Sequence, residues 1–389
     1  MGLWTAARKR PLSLVSVLHP GQGDVLGVFE VAQAEGHEEV LFGSDPVSGL
    51  RTIIAIHSTA LGPALGGTRF YPYATEEEAL TDVLRLAKGM TYKSAAAGLD
   101  LGGGKAVIIG DPRTDKTERL LRAYARVIDS LGGRYVTAED VGTTTEDMIT
   151  ISRETKHVSG LPAEYGGSGD PSPATATGVL SAIRATARHL WGDDDLTGRR
   201  FAIQGVGKVG GSLAELLVKS GASIVVSDTY QPAVDHAVAA YGATAVDVGD
   251  IYDVECDLFA PCALGASFTA DTIPRLRCEA IAGSANNQLE TTADADRLIE
   301  RGITYVPDFI VNAGGVINIQ EELHGSYSWE RAAHALEGIG ESVTKVLTRA
   351  AADDTTPVIA ARRIAEDRID AVGGLRLRRR PGEPTSPSN

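Results

Sequence analysis

"RFAIQGVGKVGGSLAELLVKSGASIVVSD", residues 200–228, decides the fold. An apolar run, "RFAIQ", leads into Gly205, Gly207 and Gly210 at G-x-G-x-x-G spacing, with Val206, Lys208 and Val209 between them. Helical periodicity follows through "KVGGSLAELLVKS", and a second apolar run, "ASIVVSD", ends in Asp228. Alone the glycine pattern is weak. Placed after a strand, before a helix and about 20 residues ahead of an acidic residue, it is a dinucleotide-binding fingerprint. The glycines then have separate tasks: a tight turn, close approach of backbone to a pyrophosphate, and close packing of helix on strand. The Asp228 carboxylate is suited to accept hydrogen bonds from the adenosine ribose and to repel a 2′-phosphate, which favours NAD over NADP.

Outward from this unit, short apolar runs alternate with helical periodicity along most of the chain, the pattern of an α/β protein. "RTIIAIHS" (51–58) reads as a strand, "LGPALGGTRFYPY" as a Gly/Pro-rich loop, and "AVIIG" as a strand. Thr75 with Glu78 forms a capping-box pattern for a helix with Leu80, Val83, Leu84, Ala87 and Met90 on its apolar face. A second helix is expected over 117–131, then strand and loop at "RYVTAED". "GLPAEYGGSGDPSP" marks a boundary, beyond which the alternation restarts with further strands at "CDLFAP", "EAIAGSA" and "ITYVP", and a helical stretch over 329–369 closes the chain. The expected division is an N-terminal extension (1–22), a substrate domain (23–160, rejoined by about 355–372), a Rossmann domain (161–354) and a disordered tail (373–389). For the extension, disorder and a start site upstream of the folded region both stay open.

Composition narrows the class. The net charge of −14 over 389 residues argues against nucleic acid as a partner, since phosphate-backbone affinity needs clustered Lys and Arg. The one basic cluster, "RLRRR" (376–380), lies in the expected tail. No apolar run approaches the roughly 18 residues of a membrane helix, and "RKRPLSLVSVL" lacks a cleavage site, so a cytoplasmic protein is expected. Cys256, Cys262 and Cys278 fit neither a disulfide framework nor a zinc site, and no metal is expected among eight scattered histidines. His57 reads as a strand residue.

A second glycine stretch, "GGGKAVIIG" (102–110), competes for the phosphate. A P-loop needs Gly five residues before its Gly-Lys and a hydroxyl after the lysine; Leu99 and Ala106 stand there, and the stretch feeds a strand, not a helix. Its glycines read instead as giving a ligand close access, and Lys105 as a desolvated lysine able to act as a general base. Lys93, just after the amphipathic helix, supplies a second cation that lowers the pKa of the first, and Asp140 in "TAEDVGT" adds a carboxylate after a strand. On pattern alone each of these charges fits an ordinary surface group equally well.

Together with "LGPALGGTRFYPY", "LAKGMTYKSAAAGLDLGGGKAVIIG", "GRYVTAEDVGT", "GDPSPATATGV", "APCALGA", "AGSANNQL" and "PDFIVNAGGVIN", the chain from about 35 to 370 resembles the Glu/Leu/Phe/Val amino acid dehydrogenase family. That resemblance implies two α/β domains with the active site in the cleft between them, NAD as cofactor, and reversible oxidative deamination of an amino acid. It implies that Lys93 binds the substrate α-carboxylate, that Lys105 is the base activating water, and that Asp140 shuttles protons at the amino nitrogen. Thr175 matches the threonine holding the nicotinamide carboxamide; Asn286 and Asn312 match groups near the nicotinamide ribose and the substrate. Where glutamate-specific relatives carry a lysine and a serine, this chain has Leu65 and Ile319. With Ala138 and Val316 these form an apolar pocket for a branched side chain, in which an unpaired carboxylate costs several kcal/mol. Leucine is favoured over valine, although one methylene is worth only about 1–3 kcal/mol. A homo-oligomer is implied, octameric in leucine-type and dimeric in valine-type relatives. A non-catalytic NAD- or amino-acid-binding protein of the same fold is the rival, disfavoured because it would need neither base nor shuttle.

Overall fold

The computed structural model describes residues 27–263, 265–325 and 327–373. The expected N-terminal extension and, Gly373 apart, the expected tail lie outside the described residues. After a short helix, α1 (Val28–Ala34), the first half builds a five-stranded sheet from β1 (Glu39–Asp45), β2 (Leu50–Ser58), β3 (Ala64–Tyr71), β4 (Gly102–Ile109) and β5 (Tyr135–Glu139). Their order is β1-β2-β4-β3-β5, antiparallel at β1/β2 and β2/β4 and parallel at β4/β3 and β3/β5. Period-two alternation gives the sheet two apolar faces. Ile53, Ala55, Val107 and Ile109 pack against Val83, Leu84 and Ala87 of α2 (Glu76–Ala96). On the other face, Ile54, Ile56, Ala106 and Ile108 meet Leu121, Tyr124 and Ile128 of α3 (Glu118–Ser130) and Met148 and Ile151 of α4 (Thr145–Ser152).

Two expectations fail in this half for one reason. "LGPALGGTRFYPY" is not a loop, because it contains β3; and Gly102–Gly104 lie inside β4. Glycine here serves close packing and not chain reversal. A Cβ on Gly66 would stand 1.8 Å from the Gly104 carbonyl oxygen, one on Gly102 2.0 Å from that of Ser58, and one on Gly103 2.1 Å from the Thr91 amide of α2. The space beside these glycines is filled by protein, which overturns the reading of 102–104 as an access route for ligand. β1, at the sheet edge, had no counterpart in the sequence reading. Thr75 caps α2 by accepting the Glu78 N–H, but the Glu78 carboxylate reaches the Ala74 N–H, not that of Thr75. The helix runs on to Ala96, so Lys93 sits in its last turn and not after it.

The second half begins with α5 (Ser172–Trp191) and forms a wholly parallel sheet of β6 (Arg200–Gln204), β7 (Ser223–Ser227), β8 (Thr244–Ala245), β9 (Leu258–Pro261), β10 (Ala280–Ile281) and β11 (Thr304–Tyr305). The order β11-β10-β9-β6-β7-β8 reverses between β6 and β9, the switch point at which doubly wound sheets bind dinucleotides. The helices are α6 (Lys208–Lys219), α7 (Gln231–Tyr241), α8 (Ala293–Glu300), α9 (Asp308–Val311) and α10 (Gly314–Leu323). The closing stretch is two helices, α11 (Trp329–Ala352) and α12 (Pro357–Gly373), separated where Asp354 takes a positive φ of 47°. α12 returns to the first half: Tyr92 donates its hydroxyl to Glu366 at 3.0 Å, and Arg368 pairs with Asp100 at 3.0 Å.

Candidate active site between the two sheets

The β3/β4/β5 register places the expected chemical groups together. Leu65 is opposite Gly103 and Val136, Gly67 is opposite Ala138, and Arg69 is opposite Val107. Counting along each strand by twos, Leu65 and Arg69 of β3, Lys105 of β4, and Ala138 with Asp140 at the end of β5 share one face, the face on which α2 packs. Lys105 Nζ lies 3.1 Å from Asp140 Oδ2, with only 7 % of its side chain exposed. Burial lowers its pKa; Asp140 opposes that shift, and Arg69 reinforces it. Lys93, coming from α2, is pushed down to about 8, chiefly by burial, against the pull of Asp308 and with the help of Lys105. Asp308, at the start of α9, links this lysine to the second half: its carboxylate accepts the Asn287 and Phe309 N–H groups at 2.5 and 2.9 Å. Burial raises the pKa of Asp308.

The apolar wall crosses the same boundary. Leu65 and Val316 of α10 belong to one continuous buried cluster, against which Ile319 packs, and Ala138 is 7 % exposed. At the head of α10 Thr175 is close: a Cβ on Gly315 would lie 3.3 Å from its Oγ1, which itself donates to the Pro171 carbonyl at 2.9 Å. Asn312 donates from Nδ2 to Asn286 Oδ1 at 2.8 Å and to Ser284 O at 3.2 Å, whereas its own Oδ1 is buried with no donor. An unsatisfied buried amide oxygen beside two such groups fits a polar ligand.

At 205–210 the glycines divide as their spacing requires. Gly205 has φ +91°, and an added Cβ would lie 2.8 Å from Ala263. A Cβ on Gly210 would sit 1.9 Å from the Gly205 carbonyl oxygen, so helix α6 could not seat against the turn. Gly207, the N-cap of α6, has nothing within 4 Å of its Cβ position and so leaves the helix N-terminus open to an anion. Val206 and Val209 flank it; Lys208 pairs with Asp170 at 3.2 Å. Asp228 Oδ2 accepts the Val206 N–H and Oδ1 the Tyr230 N–H, each at 2.8 Å, which fastens the loop to the end of β7 and leaves further lone pairs for a ribose. These residues fit a dinucleotide.

Sequence reading missed Arg69. It donates from Nε to Asp140 Oδ2 at 2.9 Å and from Nη1 to Asp82 Oδ2 at 2.7 Å. Its signal was the i+4 spacing from Leu65, which has meaning only once β3 is known to be a strand.

A doubly wound parallel sheet with an open glycine cradle, facing a mixed sheet that carries a buried Lys–Asp pair, defines a two-domain dehydrogenase architecture. The chain belongs to the Glu/Leu/Phe/Val dehydrogenase family: the family's dimerisation domain matches residues 37–157, and its Glutamate/Leucine/Phenylalanine/Valine dehydrogenase domain matches 166–236 and 228–372. It is 52 % identical over 345 residues to leucine dehydrogenase of Geobacillus stearothermophilus, covering 89 % of this chain and 94 % of that one. To valine dehydrogenase of Streptomyces virginiae it is 50 % identical, covering 86 % and 94 %. The crystal structure of L-tryptophan dehydrogenase from Nostoc punctiforme superposes with a TM-score of 0.81 at 43 % identity, covering 89 % of this chain and 99 % of that one. The protein is thus an amino acid dehydrogenase, and dehydrogenases of this family depend on a pyridine nucleotide. No described helix is long and apolar enough to cross a membrane.

Proposed function

We propose that the protein catalyses the NAD-dependent, reversible oxidative deamination of a branched-chain L-amino acid, leucine before valine, to the 2-oxo acid and ammonia. The carrying observation is the buried Lys105–Asp140 contact on the same sheet face as Leu65 and Ala138. The loop at 205–210 with Asp228, Thr175 and Asn286 would hold NAD⁺, which when bound would supply the hydride acceptor for the substrate α-carbon. The protein's own groups do the rest. Lys93 in its ammonium form pairs with the substrate α-carboxylate, whose arrival favours the charged lysine. Asn312 offers its unpaired Oδ1 to the substrate side. Asp140 moves protons at the amino nitrogen. Lys105, whose ammonium burial disfavours, in its neutral form takes a proton from the water that attacks the iminium carbon, and collapse of the carbinolamine releases ammonia.

Leu65, Ala138, Val316 and Ile319 supply no partner for a side-chain carboxylate, so glutamate is rejected by several kcal/mol. The division proposed is a substrate domain up to about residue 160 with the closing helix added to it, and a dinucleotide domain between. A homo-oligomer in the cytoplasm, with no nucleic-acid or membrane partner and no metal, completes the reading; the family name of the first domain supports the oligomer. Initial rates of NADH formation with leucine, valine, isoleucine, phenylalanine and glutamate, with NAD⁺ and NADP⁺, test it. Leucine with NAD⁺ should be fastest; glutamate as best substrate would overturn the pocket.

A further inference from the structure

Asp140 Oδ2 accepts from two cations at once, Lys105 Nζ at 3.1 Å and Arg69 Nε at 2.9 Å. Nothing among the described residues donates to its Oδ1. Arg69 is not free to drift, because its Nη1 is held 2.7 Å from Asp82 Oδ2. Asp82 is fixed in turn: its Oδ2 accepts the Tyr73 hydroxyl at 2.7 Å and its Oδ1 accepts Arg85 Nη2 at 3.0 Å. Arg69 and Asp82 are only 22 % and 16 % exposed, so solvent screens this chain weakly. Asp82 and Lys93 lie eleven residues apart on α2, three helical turns, and therefore present to the same side.

We propose that Arg69, buttressed by Asp82, is a positioning residue for the Lys105–Asp140 pair. It shares the Asp140 charge that would otherwise fall wholly on Lys105, and it holds Oδ2 so that Oδ1 is left for the substrate nitrogen. The inference rests on Lys105 being the base. The charged groups facing Lys105 are Asp140 from the end of β5, Arg69 from β3, and Asp82 and Lys93 from α2. Removing Arg69 leaves Asp140 with Lys105 as its one remaining cation among the described residues, weakens the neutralisation of Asp82, and takes away one like charge; these changes stabilise the Lys105 ammonium. A bidentate guanidinium spans two carboxylates in a way an ammonium cannot, so lysine is an incomplete substitute.

The test is kcat/KM for leucine against pH in Arg69→Leu, Arg69→Lys and Asp82→Asn, beside wild type and Lys105→Ala, with NADH affinity measured by fluorescence. Arg69→Leu should move the acid limb up by about one pH unit, a tenfold loss below it, with NADH Kd changed less than about twofold. Arg69→Lys should shift it the same way by less, Asp82→Asn, which removes a negative charge facing Lys105, should shift it the opposite way, and these two carry the test if Arg69→Leu does not fold. Activity lost equally at every pH, with the limb unmoved, gives Arg69 a structural role only and overturns the proposal. Turnover of Lys105→Ala within tenfold of wild type overturns the underlying reading of Lys105, and the proposal with it.

Discussion

Two glycine stretches about a hundred residues apart do opposite things with the same residue. In β4, Gly102 and Gly103 have protein atoms about 2 Å from where a Cβ would stand; at the turn after β6, Gly207 has nothing within 4 Å. The first pair lets a helix and two strands close on one another so that Lys105 is buried beside Asp140. Gly207 leaves a helix N-terminus bare. Glycine content cannot tell these uses apart, since both begin as a residue without a Cβ. What decides is whether the chain around it supplies another backbone or leaves a gap.

The comparison can be broken at several points. Lys105→Ala should cost the most, lowering kcat for leucine by about 10³-fold, within the range for loss of a general base, while NADH titration stays near wild type. Gly103→Ala comes next: its Cβ meets the Thr91 amide at 2.1 Å, so urea unfolding should show a loss of about 3 kcal/mol or no soluble protein. Gly207→Ala should do the reverse. Its φ is negative and nothing stands within 4 Å of its Cβ position, so stability should move by less than about 1 kcal/mol, while NADH Kd rises about tenfold. If Gly207→Ala proved the less stable of the two and bound NADH normally, the assignment of the two stretches would be reversed. Smallest is Asp228→Ser, expected to cut the preference for NAD⁺ over NADP⁺ by about tenfold, read from the two kcat/KM values.

The dependence on pH has a definite sign. Burial lowers the Lys105 pKa, so its neutral form is available below the ordinary lysine range. Deamination kcat/KM should therefore fall tenfold per unit on the acid side, as Lys105 is protonated, and fall again above about pH 8, where free Lys93 loses the charge that holds the substrate carboxylate. An acid limb at or above the normal lysine pKa of about 10.4 would contradict a buried base.

The dinucleotide half was legible because its information is local: turn, helix and acid all fall within 29 consecutive residues, 200–228. Lys105 and Asp140 were legible as chemistry, and the resemblance gave them roles. Their arrangement was not. That Leu65, Lys105, Ala138 and Asp140 share a face follows from register between strands set 38 and 71 residues apart in β3/β4 and β3/β5, as in Leu65 against Gly103 and Ala64 against Tyr135. Treating Gly66 and Gly67 as breakers removed β3, and with it the only context in which Arg69 could be placed beside Asp140.

The most direct test of Lys105 as the base is chemical rescue. Lys105→Ala leaves a small buried gap beside Asp140, and a primary amine such as ethylamine can enter it. Leucine deamination by this variant should then rise in proportion to the concentration of neutral amine, with larger amines failing by size. Turnover that stays low whatever amine is added, or that needs none to approach wild type, would contradict the assignment of the proton transfer to Lys105.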